Sequence, residues 1–175
     1  MSGWIETYSG HAFYPMNPTQ ETIDIIDIAH ALSMNCRYNG HCNRFYSVAE
    51  HSVVMSQNVD PRFALQALLH DAAEAYICDI PRPLKPLLRG YQEQENRLLE
   101  AIYIRFGVVP TDESDAAVHE ADMRMLATEK PKLIGDRYEW PSIANVLPYE
   151  QPLGCWNPAL GEAEFLFRFG ELNLN

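Results

Sequence analysis

Apolar side chains recur with helical spacing along most of the chain. The segment IIDIAHALSM keeps them on one face, and Thr22 or Asp24 is placed to cap the start of its helix. In the segment 47–59, the capping-box pair Ser47 and Glu50 precedes a second such face. No segment alternates apolar and polar residues convincingly over the length of a strand. The pattern therefore predicts an all-α fold.

Caps, breakers and apolar stripes predict further helices over 61–79, 91–107, 111–130 and 157–172. Pro61 occupies the first position of the helix 61–79, where proline is favoured, and Pro81 and Pro83 prevent its continuation. The proline-rich or aromatic stretches 1–20 and 131–156 are predicted to be irregular. About six helices result, in a compact helical bundle.

A chain of 175 residues suits one domain around a single core. We therefore expect one domain over residues 1–175. Its polar, chemistry-bearing helices fall within 22–130, and 131–175 form a loop and a terminal helix.

Composition excludes several classes of partner. The formal net charge of −11 opposes binding of a nucleic-acid polymer, because phosphate backbones need a basic surface. The N-terminus lacks the pattern of a signal peptide, and no run of 18 apolar residues could span a membrane. The four cysteines form no CxxC pair, which fits a reduced, cytoplasmic setting. Small anionic ligands held by local cations remain compatible with this charge.

The helix 61–79 is apolar on nearly every side, yet its middle carries His70, Asp71 and Glu74. Burying an ionised carboxylate costs several kcal/mol unless a cation or strong hydrogen bonds compensate. A divalent metal provides that compensation, and histidine nitrogen and aspartate oxygen are suitable ligands. His70 and Asp71 are therefore candidate metal ligands, and Glu74, one turn later, borders the same surface.

Two other predicted helices carry metal-type ligands on their inner faces. His51 lies on the apolar face of the segment 47–59, and Asp122 interrupts the apolar stripe of 111–130. Bundling of the three helices would bring two histidines and two aspartates around one ion. Taken singly, His51 could be a hydrogen-bonded core residue, and Asp122 could pair with Arg124 or Lys130. The combination favours a site.

The order H…HD…D on successive helices resembles the HD-domain metal-dependent phosphohydrolases. Wider likeness extends over CRY (36–38), SVAEHS (47–52), LLHDAAEAYICDIPRPLK (68–85) and EADMRMLATE (120–129). These motifs are similar to the 5′-deoxynucleotidase branch and to its small phage-type relatives, which hydrolyse dATP to deoxyadenosine and triphosphate. The resemblance covers about residues 22–130 and implies a helical HD fold and a deoxynucleotide substrate.

The resemblance also implies a role for each matched position. Zn²⁺, Mn²⁺ or Co²⁺ would be bound by His51, His70, Asp71 and Asp122, with Mg²⁺ an option alongside the phosphates. Glu74 and Asp79 stand where relatives handle the attacking water and its protons. Arg37 and Lys85 stand where cations meet phosphate. Tyr38 replaces the tryptophan that often faces the deoxyribose, so sugar selection is looser or uses its hydroxyl.

Independently of that likeness, metal, carboxylates and cations are what one-step attack of water on a phosphorus atom requires. Arg82, with Arg44 and Arg89 nearby in sequence, adds cations and favours a longer phosphate chain; as an alternative, these arginines are surface residues. The first expectation is therefore a deoxynucleoside triphosphate triphosphohydrolase acting on dATP. The second is a 5′-deoxynucleotidase acting on monophosphates. Relatives assemble as dimers or rings, which implies a homo-oligomer.

Three other classes were considered. A signalling HD domain would carry further motifs, such as a GYP run, which are missing from the sequence. A catalytically inactive HD nucleotide-binding module would lack at least one ligand type. A structural zinc site at Cys36, His41 and Cys42 has only three local ligands, whereas structural zinc takes four.

Overall fold

The computed structural model describes residues 3–173, and its regular secondary structure is almost entirely helical. The prediction of an all-α fold is confirmed. Its α-helices are α1 (Ile25–Met34), α2 (Val48–Asn58), α3 (Ala64–Leu69), α4 (Glu74–Ile77), α5 (Tyr91–Phe106), α6 (Asp112–Glu129) and α7 (Pro158–Asn173). Single 3₁₀ turns lie at Gln20–Thr22, Arg37–Gly40, Pro61–Phe63, Lys85–Leu87 and Pro141–Ile143. Because α3 and α4 together occupy the predicted helix 61–79, the expected number of about six helices agrees with the structure.

A small hairpin corrects the prediction that residues 1–20 are irregular. Strands β1 (Ile5–Glu6) and β2 (Ala12–Phe13) pair antiparallel. The turn between them is fixed to α1, where the buried carboxylate of Asp27 accepts hydrogen bonds from the backbone N–H and the hydroxyl of Ser9. Two-residue strands are too short to show an alternating pattern in the sequence.

Helix starts agree with the capping residues read from the sequence. Asp24 caps α1 by accepting from the N–H of Ile26, and Ser47 caps α2 by accepting from the N–H of Glu50. The expected reciprocal bond of a capping box is wrong, however. The carboxylate of Glu50 instead accepts from the N–H groups of Cys155 and Trp156, at 2.9 and 2.6 Å.

The predicted helix 61–79 is interrupted at its most polar point. Its α-helical bonds stop at Leu69, one tight turn runs through 70–73, and α4 follows. In that turn the N–H of Ala72 bonds to the carbonyl of Leu69, and the N–H of Glu74 bonds to that of Asp71, both at 3.0 Å. These three-residue steps are tighter than α-helical ones. The interruption thus coincides with the candidate ligands.

The helix α6 continues past the point at which Pro131 was expected to begin a loop. Residues 130–134 form a wider π-type turn, so the prediction that 131–156 is a loop throughout is wrong at its start. Proline is tolerated here because it lies in the first turn of the new segment. The carbonyl of Leu133 accepts from the N–H of Asn43 at 2.8 Å, which holds the 37–43 region against this end of α6.

Two apolar clusters meet on α2 and α3. One joins these helices to α1, α4, α5 and α7 around Leu32, Leu68, Ile102 and Phe165. The other joins them to α6 around Met55, Ala67 and Met125. Among residues 3–173, no helix combines the length and apolar character needed to cross a membrane.

Candidate metal centre and cavity

The fold brings together the ligand residues predicted from three separate helices. His51 comes from α2, His70 and Asp71 from the turn after α3, and Asp122 from α6. His51, His70 and Asp71 form a group that could hold a metal ion, with one ligand atom of each within 4.8 Å of the others. The fourth predicted ligand, Asp122, is not a member of this group, although its Oδ1 lies 3.5 Å from Nε2 of His51.

The spacing of these atoms suits one divalent ion. Two ligands at about 2.05 Å from a tetrahedral zinc ion are about 3.4 Å apart, because tetrahedral geometry fixes their separation. The two histidine Nε2 atoms are 3.4 Å apart. Oδ2 of Asp71 lies 3.1 Å from Nε2 of His70 and 3.8 Å from that of His51. The donor set, nitrogen with carboxylate oxygen, fits the same ions.

Both histidines are anchored through their other ring nitrogen. Nδ1 of His51 lies 2.6 Å from Oε1 of Glu129, and Nδ1 of His70 lies 2.8 Å from the carbonyl oxygen of Ala67. Each acceptor favours the tautomer with hydrogen on Nδ1, which leaves the Nε2 lone pair facing the group. Such outer hydrogen bonds are typical of metal-binding histidines.

Without an ion, the group is held together by its own charges. Burial raises the pKa of Asp71, but His70, His51 and Arg37 outweigh burial and lower it well below its usual value. Burial lowers the pKa of His70, and the neighbouring carboxylate of Asp71 more than reverses this, so the pKa of His70 is raised. A cation is therefore favoured at this point of the fold, whether a proton or a metal supplies it.

A cavity of about 810 Å³ opens over the ligand group. That volume lies within the range of small-molecule sites in proteins. All of the predicted site residues except His51 and His70 line it, and those two contact Asp71 and Asp122 in its wall. The remaining wall residues are Asn39, His41, Ile80, Pro81, Pro83, Leu126, Ile134, Trp140, Pro141 and Ser142.

The two carboxyl groups predicted to handle protons face this cavity. Burial, with repulsion from Asp71 and Asp79, raises the pKa of Glu74 to about 10. Oε2 of Glu74 is buried and has no hydrogen-bond partner among the described residues. Burial also raises the pKa of Asp79. Glu74 is therefore protonated at neutral pH in the metal-free protein, which gives the cavity a buried O–H group.

Arg37 and Tyr38 sit on the 3₁₀ turn beside the metal group. Nε of Arg37 donates to Glu129 at 3.1 Å, and its Nη1 lies 3.5 Å from Oδ2 of Asp71. The hydroxyl of Tyr38 donates to Glu129 at 2.5 Å. Tyr38 has φ 58° and ψ 28°, a left-handed conformation that costs a residue with a Cβ on the order of 1 kcal/mol.

The other two predicted cations are paired with carboxylates. Nζ of Lys85 lies 2.8 Å from Glu95 and 3.6 Å from Glu74. Arg82 is 60% exposed and donates to Oδ2 of Asp122 at 2.9 Å. Asp122 thus pairs with Arg82, not with Arg124 or Lys130 as the alternative reading of the sequence had it.

Sequence reasoning missed two residues of the site. Glu129 is fully buried and contacts His51, Arg37 and Tyr38. Its position seven residues after Asp122 on α6 places both on one face, a signal that could have identified it. Trp140 lines the cavity with its ring centroid 6.1 Å from that of Tyr38, and no pattern in its proline-rich segment indicated this.

Of the alternative zinc site at Cys36, His41 and Cys42, the structure brings together only the two cysteines. The two sulfur atoms lie 3.5 Å apart. Within residues 3–173, however, no third metal-ligand atom joins them in a group of the kind that His51, His70 and Asp71 form.

Comparison with known proteins identifies a relative that matches nearly the whole chain. No protein-family model matches the sequence. The chain is 40% identical over 175 residues to the uncharacterized protein YfdR of Escherichia coli (strain K12), a match that covers 97% of this chain and 96% of YfdR. The chain belongs to the YfdR family. An uncharacterized protein of Rhodobacter capsulatus is 37% identical over 115 residues, covering 60% of this chain and 59% of its own length. Both relatives are named as uncharacterized proteins, so neither name indicates a function for this YfdR-family chain.

Proposed function

We propose that the chain is a metal-dependent phosphohydrolase that cleaves the 5′ phosphoester of 2′-deoxynucleotides. The observation that carries the proposal is the placement of the His51, His70 and Asp71 group in contact with a cavity that also holds Arg37 and Lys85. Metal ligands beside cations suit a phosphate ester, whose hydrolysis needs charge relief at phosphorus. Resemblance to HD-domain phosphohydrolases supports the same reaction class, and the deoxynucleotide substrate is inferred from that resemblance.

A divalent ion held by His51, His70, Asp71 and Asp122 would lower the pKa of a bound water and neutralise phosphoryl oxygens. The protein's own part is to hold the donors in place. The bonds from Nδ1 of His51 and His70 do so, leaving both Nε2 atoms available. Zinc, manganese and cobalt all accept this mixed nitrogen and oxygen set.

The cavity side chains divide the remaining work. Arg37 is the strongest candidate for gripping a phosphoryl group, because its guanidinium is buried beside Asp71 and always charged. Glu74, which is protonated at neutral pH in the metal-free protein, is the candidate donor of a proton to the leaving 5′ oxygen. Asp79 lines the same cavity and can accept the proton of the attacking water.

Charge pairing favours a monophosphate over the triphosphate that the sequence suggested first. Lys85 is already paired with the carboxylate of Glu95 at 2.8 Å, and Arg82 is engaged by Asp122. Arg44 and Arg89 do not line the cavity. With a metal bound, few unpaired cations remain to meet a chain of three phosphates. The 5′-deoxynucleotidase activity is therefore the better supported reading.

One observation favours the triphosphate as a second candidate. A cavity of about 810 Å³ has room for more than a monophosphate, and Arg82, which is 60% exposed, could exchange its contact with Asp122 for one with a longer phosphate chain. Product analysis separates the two readings. Purified protein with Mn²⁺, Co²⁺ or Zn²⁺ is incubated with dAMP and with dATP, and products are resolved by chromatography. Release of phosphate from dAMP, with no hydrolysis of dATP, supports the 5′-deoxynucleotidase. Release of inorganic triphosphate from dATP supports the triphosphohydrolase.

Asp71→Asn tests the metal-dependent proposal itself. It removes a charged ligand while keeping the shape of the side chain, so bound metal and hydrolysis should fall together, each by more than about 100-fold, given that supporting residues alone change metal affinity 10- to 100-fold. Metal content after dialysis and turnover are the measurements. Asp60→Asn, at an exposed site, is the matched control. A metal-free Asp71→Asn protein with full activity would end the proposal, and a wild type that binds metal and nucleotide without hydrolysis would indicate an inactive binding module.

A further inference from the structure

Glu129 is a buried carboxylate on which three donors converge. Oε1 lies 2.6 Å from Nδ1 of His51. Oε2 accepts from Nε of Arg37 at 3.1 Å and from the hydroxyl of Tyr38 at 2.5 Å. No part of Glu129 is exposed to solvent. One side chain at the end of α6 therefore joins a metal-type ligand on α2 to Arg37 and Tyr38, two of the cavity residues of the 37–40 turn.

Only a carboxylate satisfies this arrangement. Both oxygens must accept, because His51 presents its Nδ1 hydrogen on one side and Arg37 presents an N–H on the other. An amide has a single acceptor atom, so a glutamine here would set its NH₂ against one of these donors. If the NH₂ faced His51, the ring would shift its hydrogen to Nε2 and lose the lone pair that faces the ligand group.

The same carboxylate holds the turn in an unusual shape. Tyr38 and Asn39 both have left-handed backbone conformations, which tyrosine adopts rarely. The hydroxyl bond from Tyr38 to Glu129 and the ion pair from Arg37 oppose relaxation of that turn. Strained residues persist where their surroundings over-determine them, and they concentrate at functional sites.

We propose that Glu129 is a positioning residue that couples metal retention at His51 to the placement of Arg37 and Tyr38 in the cavity. The inference rests on the proposed function for the roles of those three residues. Glu129 itself neither lines the cavity nor belongs to the ligand group. It acts through its partners, so its loss should weaken metal binding and substrate binding together.

Glu129→Gln is the principal test, performed on purified protein reconstituted with Zn²⁺ or Co²⁺. Metal affinity is measured by competition with a chelator, and kcat and KM for the deoxynucleotide are measured at saturating metal. We expect metal affinity to fall about 10- to 100-fold, the range found for residues that support metal ligands. We expect KM to rise about tenfold, since the phosphate-facing guanidinium loses its anchor.

A merely structural role predicts a different result. Asp27→Asn is the matched control, because Asp27 is also a buried carboxylate that accepts hydrogen bonds, in its case two from Ser9 in the hairpin contact. It should lower the melting temperature while leaving metal affinity and KM within about twofold. If folded Glu129→Gln behaves in the same way, Glu129 is only structural and the inference is wrong.

Glu129→Asp covers the case in which the glutamine variant does not fold. It keeps the charge but is shorter by one methylene, so it cannot contact His51 and Arg37 together. Metal affinity or KM should change at least about fivefold, and unchanged values would overturn the inference. Failure of the proposed function looks different, because the wild type itself would then retain no metal or hydrolyse no deoxynucleotide.

Discussion

Glu74 is a carboxyl group that the fold keeps protonated. Burial and the neighbouring Asp71 and Asp79 raise the pKa of Glu74 to about 10, and they outweigh Lys85 and Arg37, which lower it. Between the ordinary pKa of glutamate, about 4.3, and this value the folded chain holds one proton more than the unfolded chain. The free energy of unfolding therefore loses this contribution as the pH rises through that interval.

Glu74→Gln should remove this dependence, because an amide does not titrate. Linkage gives a loss of about 1.4 kcal/mol per pH unit, so between pH 6 and pH 8 the metal-free wild type should lose up to about 3 kcal/mol more than the variant. Urea unfolding in the presence of a chelator measures the difference. Parallel pH dependence of the two proteins would show that Glu74 is ionised when folded.

The same variant also tests the chemistry assigned to Glu74. Its metal content should match that of the wild type, because Glu74 is no member of the ligand group. Turnover should fall about 100-fold or more, the scale of general acid–base catalysis. Metal analysis and steady-state kinetics on one preparation provide both numbers. Loss of metal along with turnover would mean that Glu74 supports the ligand group instead.

Sequence alone predicted the residues whose chemistry conflicts with their surroundings. His51, His70 and Asp122 stand out because burying a polar or charged side chain in an apolar stripe costs free energy unless the side chain has a partner. Glu129 was harder to find, since it ends a helix where a charged residue is ordinary. Its role depends on hydrogen-bond donors from residues 37–38 and from α2, and these reach Glu129 only when the helices are packed together.

At the scale of elements, the turn after α4 carries visible strain. Cys78 has φ 67° and ψ 158°, a region that almost only glycine occupies. It lies immediately before Asp79, and its carbonyl accepts from the hydroxyl of Tyr91 at 3.1 Å. The strained residue thus fixes where Asp79 enters the cavity wall.

Replacing Cys78 by glycine should relieve this strain. Cys78→Gly is expected to be more stable than Cys78→Ala by about 1 kcal/mol, because alanine keeps the Cβ that disfavours the conformation. The alanine variant is the matched control, since both lose the sulfur. Urea unfolding measures the difference. A glycine variant less stable than the alanine variant would show that the backbone there is not strained.

Element boundaries were predictable where local chemistry sets them. Asp24 and Ser47 begin their helices in the structure as their side chains indicated, because a cap is satisfied within three residues. The break at 70–73 and the π-type turn at 130–134 were not predictable. Both depend on how the helices pack around the site. The positions of prolines in the sequence carry no information about that packing.

At the scale of the whole molecule, Glu50 ties two distant parts of the chain together. It is fully buried on α2, and both carboxylate oxygens accept backbone N–H groups from the approach to α7. Arg168 on α7 adds a bond from its Nε to the hydroxyl of Ser56 at 3.0 Å. The helix that carries His51 is thus fixed from its back by the C-terminal segment.

Glu50→Gln should lower the free energy of unfolding by about 1–3 kcal/mol, because one N–H group would face an amide hydrogen instead of an acceptor. Metal content per folded molecule should stay within about twofold, since Glu50 faces away from the cavity. Glu113→Gln, at an exposed carboxylate, should change neither quantity measurably. A metal loss without a stability loss would contradict this assignment.

The Glu50 contact also sets an order of events during synthesis. Its partners are 105 and 106 residues further along the chain, so the ribosome must add Trp156 before the buried charge beside His51 is satisfied. A nascent chain ending earlier contains all four predicted ligands, yet its α2 would hold an uncompensated carboxylate in an apolar setting. We therefore expect any metal bound at His51 to be captured only after the C-terminal segment is complete, so that the ion would not guide the emerging chain.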